Sequence, residues 1–258
     1  MKNITLAITN LVALLTTIVI NYLSNTGFIN GRTMKTVSDD YHNFFTPASF
    51  AFSIWGLIYL LLIGFVTYSF FILKAKKESQ IIDRVGAWFT VSCLLNSIWV
   101  IAWLTDYIGI SVLLMILLLL TLLKIVVNVN VALTNPPFRI VAFVWWPFSL
   151  YAGWISVALI ANIAAYLVKI DWNGWNISPV YWTMIMVIVA GIVNVFMTWK
   201  RNMREYALVG VWALIAVAVA NRDNGTAIFL VSMGTAAVIA TSCLIHGIKN
   251  FRGFGNEI

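Results

Sequence analysis

Eight apolar stretches, most of them close to twenty residues long, occupy most of the 258 residues of the chain. A helix rises about 1.5 Å per residue, so roughly 20 apolar residues cross the ~30 Å hydrocarbon layer of a bilayer. Hydrophobic residues make up 62% of the chain and charged residues 10%, which is outside the range of soluble domains. The sequence therefore predicts an all-α fold, a polytopic transmembrane helix bundle of about eight spans.

The predicted spans are joined by short connections, apart from the long polar loop 24–46 between the first two. They cover residues 4–23, 48–73, 85–104, 108–133, 140–168, 181–199, 206–220 and 226–248. Pro147 predicts a bend early in the fifth span. The seventh span is short for a crossing, so a bundle of seven spans remains the alternative.

The distribution of Lys and Arg predicts the orientation, because cytoplasmic loops carry the excess of these residues. With the N-terminus inside, the inner side holds Lys2, Lys74, Lys76, Lys77, Arg84, Arg139, Lys200, Arg201, Arg204, Lys249 and Arg252. The outer side holds Arg32, Lys35, Lys169 and Arg222. Both termini are therefore predicted to be cytoplasmic, and the net charge of +7 indicates topology, with no nucleic acid as partner. Short loops without obvious organelle targeting favour a bacterial inner membrane.

Several kinds of chemistry find no support in the residues. The acidic residues, among them Glu78 and Glu257, all lie in predicted loops or at helix ends, which argues against an ion-coupled transporter. His42 and His246 lie at opposite ends of the predicted topology and belong to no ligand-spaced cluster, so no metal site is predicted. No catalytic residue and no required cofactor emerge from the sequence.

Three predicted spans carry aromatic and hydrogen-bonding residues on one helix face. They recur at spacings of three or four residues, as Trp55 and Tyr59, as Asn96 and Trp99, and as Tyr151, Trp154, Ala158 and Asn162. One interpretation is helix packing, with the amides as interhelical hydrogen-bonding groups. The other is an apolar cavity with a few polar groups, suited to a planar aromatic ligand. The residues alone leave both interpretations open.

Three motifs in these spans resemble a known family. Thr46-Pro47-Ala48, followed by Trp55 and Tyr59, resembles the proline-led second helix of the TspO/MBR family, the tryptophan-rich sensory proteins and peripheral benzodiazepine receptors. Leu95-Asn96-Ser97-Ile98-Trp99 resembles its third-helix Leu-Asn-x-x-Trp signature, and the set from Tyr151 to Asn162 resembles its fifth-helix pattern. The chain departs from the family at Val100, where a Ser or Thr is usual, and at Leu150, where a Pro is usual.

The resemblance covers about residues 1–170 and implies a five-helix bundle there. Family members usually end after five helices, so residues 171–258 are predicted to be a three-helix transmembrane extension packed on the same bundle. The family implies a receptor-like protein whose cavity binds, and in some members transports, a porphyrin or related tetrapyrrole. On this chain the cavity residues would be Trp55, Tyr59, Asn96, Trp99, Tyr151, Trp154, Ala158 and Asn162.

The first loop would cover that cavity, with residues 27–45 as a lid. Arg32, Lys35 or His42 could meet the acidic groups of a porphyrin there, and His42 could also ligate haem iron. Two other functions stay open, a membrane enzyme that oxidises a bound porphyrin and a membrane scaffold without a ligand. A homodimer is also left open.

Overall fold

The protein is an all-helical bundle in its computed structural model, which describes the backbone of residues 2–75, 80–223 and 225–255. All regular structure in these ranges is helical. The α-helices are α1 (Lys2–Leu23), α2 (Met34–Asp40), α3 (Ile54–Ala75), α4 (Gln80–Val85), α5 (Trp88–Leu104), α6 (Ile108–Asn128), α7 (Phe138–Ile140), α8 (Trp146–Lys169), α9 (Pro179–Arg201), α10 (Arg204–Ala220) and α11 (Thr226–Gly255). Lys76, Lys77, Glu78 and Glu257, whose positions entered the predicted topology, lie outside the described residues.

Six helical segments in the described ranges are long and apolar enough to cross a membrane. They are Asn3–Leu23, Ser49–Ala75, Ile108–Asn128, Phe138–Lys169, Pro179–Arg201 and Thr226–Asn250. The predicted third and seventh spans correspond to α5 and α10, which have 17 residues each and are therefore about 25 Å long. Large apolar side chains such as Leu60, Ile192 and Leu244 are more than three-fifths exposed on the outer helix faces, as expected where lipid is the solvent. The prediction of a polytopic helical membrane protein is confirmed.

The end of the fourth span and the start of regular helix in the fifth span differ from the prediction. The fourth span was expected to reach residue 133, but α6 ends at Asn128. Asn130 and Ala132 have left-handed backbone angles, with φ of 52° and 59°, so the helix cannot continue through them. In the fifth span, the π-helical turn Val141–Trp145 precedes Pro147, which lies in the first turn of α8. The regular helix thus begins only where proline needs no amide hydrogen bond.

Helix α8 joins the two predicted parts of the chain. It packs against α3 and α6 on one side and against α10 on another, while α10 also packs against α9 and α11. The contact with α10 is close at Gly153, where an added Cβ would lie 2.7 Å from the Tyr206 carbonyl oxygen. The Tyr206 hydroxyl also donates a hydrogen bond of 2.6 Å to Ser156 on α8. The helices after residue 170 therefore contact the others through α10.

Replacing Gly153 with Ala tests this close approach. A Cβ would meet backbone that cannot move aside alone, so we expect Gly153→Ala to lower the free energy of unfolding by about 1–3 kcal/mol. Thermal denaturation of the detergent-purified protein, followed by circular dichroism, measures the change.

Gly234→Ala is the matched control, because a Cβ at Gly234 on α11 meets no atom within 4 Å. Alanine favours helix over glycine, so this control should be neutral or slightly stabilising. Equal behaviour of the two variants would contradict the close packing of α8 on α10.

Candidate functional site

A mainly apolar cavity lies at one end of the bundle, which we call the lid end. Its empty volume is about 720 Å³ including the space at its mouth, and little of it is wide enough for a water molecule. The helices contribute Trp55, Trp99, Trp103, Met115, Trp154, Val157, Ala158, Ala161, Asn162, Ala165, Ala213 and Val217. The connection between α1 and α3 contributes Met34, Ser38, Tyr41, Asn43, Phe45, Thr46, Pro47 and Phe52.

Four indole rings line this cavity. The rings of Trp55 and Trp154 meet edge to face with centroids 6.3 Å apart, and Phe52 meets Trp154 in the same way at 6.3 Å. On α5, the rings of Trp99 and Trp103 lie 6.3 Å apart and are tilted by 30°. Such surfaces favour flat aromatic ligands, since ring faces and edges attract one another in these arrangements.

The polar groups of Trp99 and Asn162 bond to each other inside the protein. The Trp99 Nε1–H donates to Asn162 Oδ1 at 2.8 Å, and Asn162 Nδ2 donates to the Ser111 hydroxyl at 2.9 Å. These bonds connect α5, α6 and α8 at the wall of the cavity. The hydrogen bonds therefore support the interpretation that the Asn162 amide joins helices.

Trp154 differs from Trp99, because its Nε1–H has no hydrogen-bond partner in the described part of the chain. The side chain is only 3% exposed. A buried donor without a partner costs about 1–3 kcal/mol. Because Trp154 lines the cavity, a ligand that carries an acceptor could satisfy this donor.

Five of the eight predicted cavity residues line the cavity, namely Trp55, Trp99, Trp154, Ala158 and Asn162. The other three lie outside its lining. Tyr59 stacks on Trp55 with centroids 5.4 Å apart, and Tyr151 meets Trp55 edge to face at 5.8 Å. Asn96 is fully buried and accepts a hydrogen bond of 2.8 Å from Asn21 on α1. Tyr59 and Tyr151 thus support the Trp55 ring from outside the cavity.

The three predicted lid cations do not belong to the cavity lining. Arg32 pairs with Asp40, Lys35 pairs with Asp39, and His42 is exposed. Met34, Ser38 and Tyr41 are the side chains that the lid helix α2 and its C-cap direct at the cavity. A contact between the lid cations and an acidic ligand group stays a prediction.

Asp106, in the connection between α5 and α6, holds the lid in place. Its carboxylate accepts a hydrogen bond of 2.6 Å from the Tyr41 hydroxyl and pairs with Lys169 Nζ at 2.6 Å. Arg32 Nη1 lies 3.6 Å from Oδ1 of the same carboxylate. Burial alone would raise the pKa of Asp106, but the hydrogen bonds from Lys169 and Tyr41 and the two positive charges lower it below its ordinary value. Burial raises the pKa of Tyr41, and the Asp106 carboxylate raises it further.

Several lining residues were not among the predicted site residues. Trp103 could have been included, because it continues the α5 stripe four residues after Trp99. Ala161 and Ala165 lie three and seven residues after Ala158 and so share its helix face. Ala213 and Val217 of α10 belong to no motif, and only the packing of α10 on α8 brings them to the cavity.

The Asp106 cluster makes a prediction about pH. A carboxylate with a lowered pKa in the folded state stabilises that state above its ordinary pKa of 3.8 and loses this contribution as pH falls through the folded value. The side chains are part-exposed, so we expect Asp106→Asn to cost about 1 kcal/mol or less near pH 7 and nothing at pH well below 3.8. Thermal midpoints of both proteins from pH 7 downwards measure the difference.

Asp39→Asn is the control, because Asp39 pairs with Lys35 on the exposed surface of α2. It should change the midpoint less than Asp106→Asn does at pH 7. A difference between wild type and Asp106→Asn that persists unchanged at low pH would contradict the role of the charge.

Comparison with known proteins gives one family. The model of the family described as TSPO-like protein matches residues 7–245. No curated protein and no solved structure matches the chain.

The match agrees with the resemblance that the motifs in α3, α5 and α8 indicate. It also extends beyond residue 170 through α9 and α10 and into α11, so these helices lie within the matched range. The division into parts 1–170 and 171–258 stays a prediction. Membership suggests a membrane protein that senses or binds a ligand, and the six apolar helices make it an integral membrane protein. The chain belongs to the TSPO-like protein family.

Proposed function

We propose that this protein binds a planar hydrophobic ligand, a porphyrin or related tetrapyrrole, in the cavity at the lid end. The observation that carries this proposal is the set of four indoles around one apolar cavity beneath a loop that covers it. The family to which the chain belongs supports ligand binding in general terms.

The lining favours a flat apolar ligand with few polar groups. Helix α8 presents Ala158, Ala161 and Ala165 along one face, which leaves room beside the larger rings. The unpartnered Trp154 Nε1–H is the inner polar group, whereas Ser38, Tyr41 and Asn43 lie at the lid. Pockets for small molecules commonly combine an apolar wall with a few such groups. We expect the ligand to place an acceptor near Trp154 and its ring system among the indoles.

Binding of a ligand as large as a tetrapyrrole requires the lid to move. The space inside the cavity that a water-sized sphere can occupy is about 70 Å³, far below the roughly 300–1,000 Å³ of ligand pockets. Tyr41 lines the cavity and is held by Asp106, so displacement of the lid must break or shift that hydrogen bond. Ligand entry should therefore require that the hydrogen bond between Tyr41 and Asp106 breaks or shifts.

We also propose where the cavity opens. With both termini cytoplasmic in a bacterial inner membrane, the lid end faces outwards and the ligand enters from that side. Transport would in addition need an exit at the opposite end of the bundle, so binding or sensing is the simpler proposal. A homodimer stays a prediction.

Oxidation of the bound porphyrin is the second candidate function. It is favoured by the four indoles, which would lie against the ligand. Dissolved oxygen or peroxide would be the oxidant that takes up electrons from the illuminated porphyrin, and an indole could return one electron to the porphyrin radical cation. Illumination of the porphyrin-loaded protein, with absorbance and mass of the porphyrin followed over time, tests this candidate. Products that form equally fast with free porphyrin would remove it.

The binding site is tested by titrating the detergent-purified protein with protoporphyrin and with haemin. Tryptophan quenching and the Soret absorbance report binding. We expect saturable binding, a loss of affinity of at least tenfold for Trp154→Ala, and a smaller loss of about fivefold for Trp154→Phe. The Phe variant keeps a smaller aromatic ring and removes the unpartnered donor, and one hydrogen bond contributes about 1 kcal/mol.

Trp88→Phe is the matched control, because Trp88 lies at the other end of α5, outside the cavity lining. Its affinity should equal that of the wild type. Trp99→Ala should also weaken binding, but it frees Asn162, so its thermal midpoint must be measured as well. Absence of saturable binding would favour the scaffold interpretation. Equal affinity in every variant would place the bound porphyrin outside this cavity and so contradict the proposed site.

A further inference from the structure

Helix α10 holds the chain segment that forms one side of the cavity. We call residues 44–53 the crossover segment, since they lead from the lid into α3 and supply the lining residues Phe45, Thr46, Pro47 and Phe52. The segment contains no regular α-helix, and its residues Ser49–Ser53 form a short 3-10 helix. Its position therefore depends on contacts with its neighbours.

Three hydrogen bonds between the crossover segment and α10 with its C-cap fix the segment along its length. Asn221 Nδ2 donates to the Phe44 carbonyl at 2.9 Å. The amide of Ala48 donates to the Ala216 carbonyl at 3.0 Å. Trp212 Nε1 donates to the Ala51 carbonyl at 3.2 Å. In a membrane protein such bonds matter, because a backbone group away from water has few other partners.

Aromatic packing adds to these bonds. The ring of Phe50, in the crossover segment, meets Trp212 edge to face with centroids 5.1 Å apart. Asn221 is 5% exposed, and its second amide hydrogen is donated to the Val217 carbonyl at 2.8 Å. The Asn221 side chain is thus held by its own helix while it holds the crossover segment.

The adjacent face of α10 reaches the cavity itself. Ala213 and Val217 are four residues apart, lie on one helix face and are part of the lining. Both are almost fully buried, with 1% of each exposed. Helix α8, which packs against α10, contributes Ala158, Ala161 and Ala165 to the same lining, so small side chains of both helices border the cavity.

We propose that α10 is part of the ligand site. Trp212 and Asn221 are positioning residues that fix the crossover segment, and Ala213 and Val217 set the width of the cavity and hence the ligands it admits. The inference rests on the proposed function and deepens it, since it assigns a role at the same site to a helix beyond residue 170. It also divides the cover into a fixed part, residues 44–53, and a movable part at α2 that Asp106 holds.

Hydrogen–deuterium exchange of the ligand-free protein in detergent tests the positioning role. Asn221→Ala and Trp212→Phe each remove one donor to the crossover segment, and the Phe variant keeps the ring against Phe50. We expect peptides covering residues 44–53 to exchange about fivefold faster in each variant, and faster still in the double variant. Amides of α9 and α11 should exchange as in the wild type.

Asn128→Ala is the matched control. Asn128 Nδ2 also donates to a backbone carbonyl, that of Arg84, at 3.1 Å, but it does so at the opposite end of the bundle. This variant should leave the exchange of residues 44–53 unchanged. Unchanged exchange of residues 44–53 in the double variant, or an equal increase in α9 and α11, would overturn the positioning role.

Protoporphyrin binding then tests both roles. We expect Asn221→Ala to raise the dissociation rate about fivefold, because the crossover segment lines the cavity. Ala213→Leu should lower the affinity at least tenfold, whereas Val217→Ala should keep or raise it, because the two changes alter the width in opposite directions. Wild-type binding with full affinity in Ala213→Leu would overturn the assignment of the width.

The two proposals fail in different ways. If wild type does not bind protoporphyrin, the proposed function fails, and the roles of Ala213 and Val217 fail with it. If wild type binds and the exchange of residues 44–53 does not respond to Asn221→Ala and Trp212→Phe, the proposed function stands and the positioning role of α10 fails.

Discussion

The packing of α8 against its neighbours is the constraint on which the rest of the structure depends. On one side α8 packs against α3 and α6, and on another it approaches α10 so closely that Gly153 has no room for a Cβ. The same helix carries Trp154, Ala158 and Asn162 into the cavity. Because side chains along one helix keep a fixed spacing, the α10 contact near residue 153 also sets the distance across the cavity at residues 157–165.

The buried indoles of Trp99 and Trp154 differ in their hydrogen bonds. Trp99 is bonded to Asn162, which is bonded to Ser111, so three helices are held together without any ligand. Trp154 lines the same cavity but keeps a donor without a partner in the described residues. In a bilayer, where water cannot serve as the partner, such a donor is costly. Trp99 therefore contributes to the fold as well as to the lining, whereas the Trp154 donor is free to bond to the proposed ligand.

The cover of the cavity combines two kinds of contact. The crossover segment is held by neutral hydrogen bonds and ring packing from α10, which salt and pH affect little. The lid helix is held by the charged cluster of Asp106, Lys169 and Arg32, which is part-exposed and therefore sensitive to both. A ligand would break the charged contacts of the lid helix more easily than the hydrogen bonds of the crossover segment, so the path to the cavity should open at α2.

Much of the architecture followed from the sequence. Apolar length identified six of the spans and the helices α5 and α10, since the bilayer admits few structures besides helices. The motif spacings in α3, α5 and α8 identified the family and five of the lining residues, because positions three and four apart share a helix face. The end of α6 at Asn128 was missed, since residues 129–133 are almost as apolar as a span and the left-handed turn leaves little trace in hydropathy.

The membrane class, the family and the helix faces follow from the amino-acid sequence, because they depend on local composition and spacing. Which side chains share a cavity depends instead on how the helices pack. Tyr59, Asn96 and Tyr151 lie outside its lining, while Ala213 and Val217, far along the chain and without a motif, belong to it. The Lys35–Asp39 pair has the four-residue spacing of helix neighbours, but the pairing of Arg32 with Asp106 and the bonds from Trp212 and Asn221 could not be read from spacing. Such contacts join residues distant in sequence, and they depend on how the helices pack together.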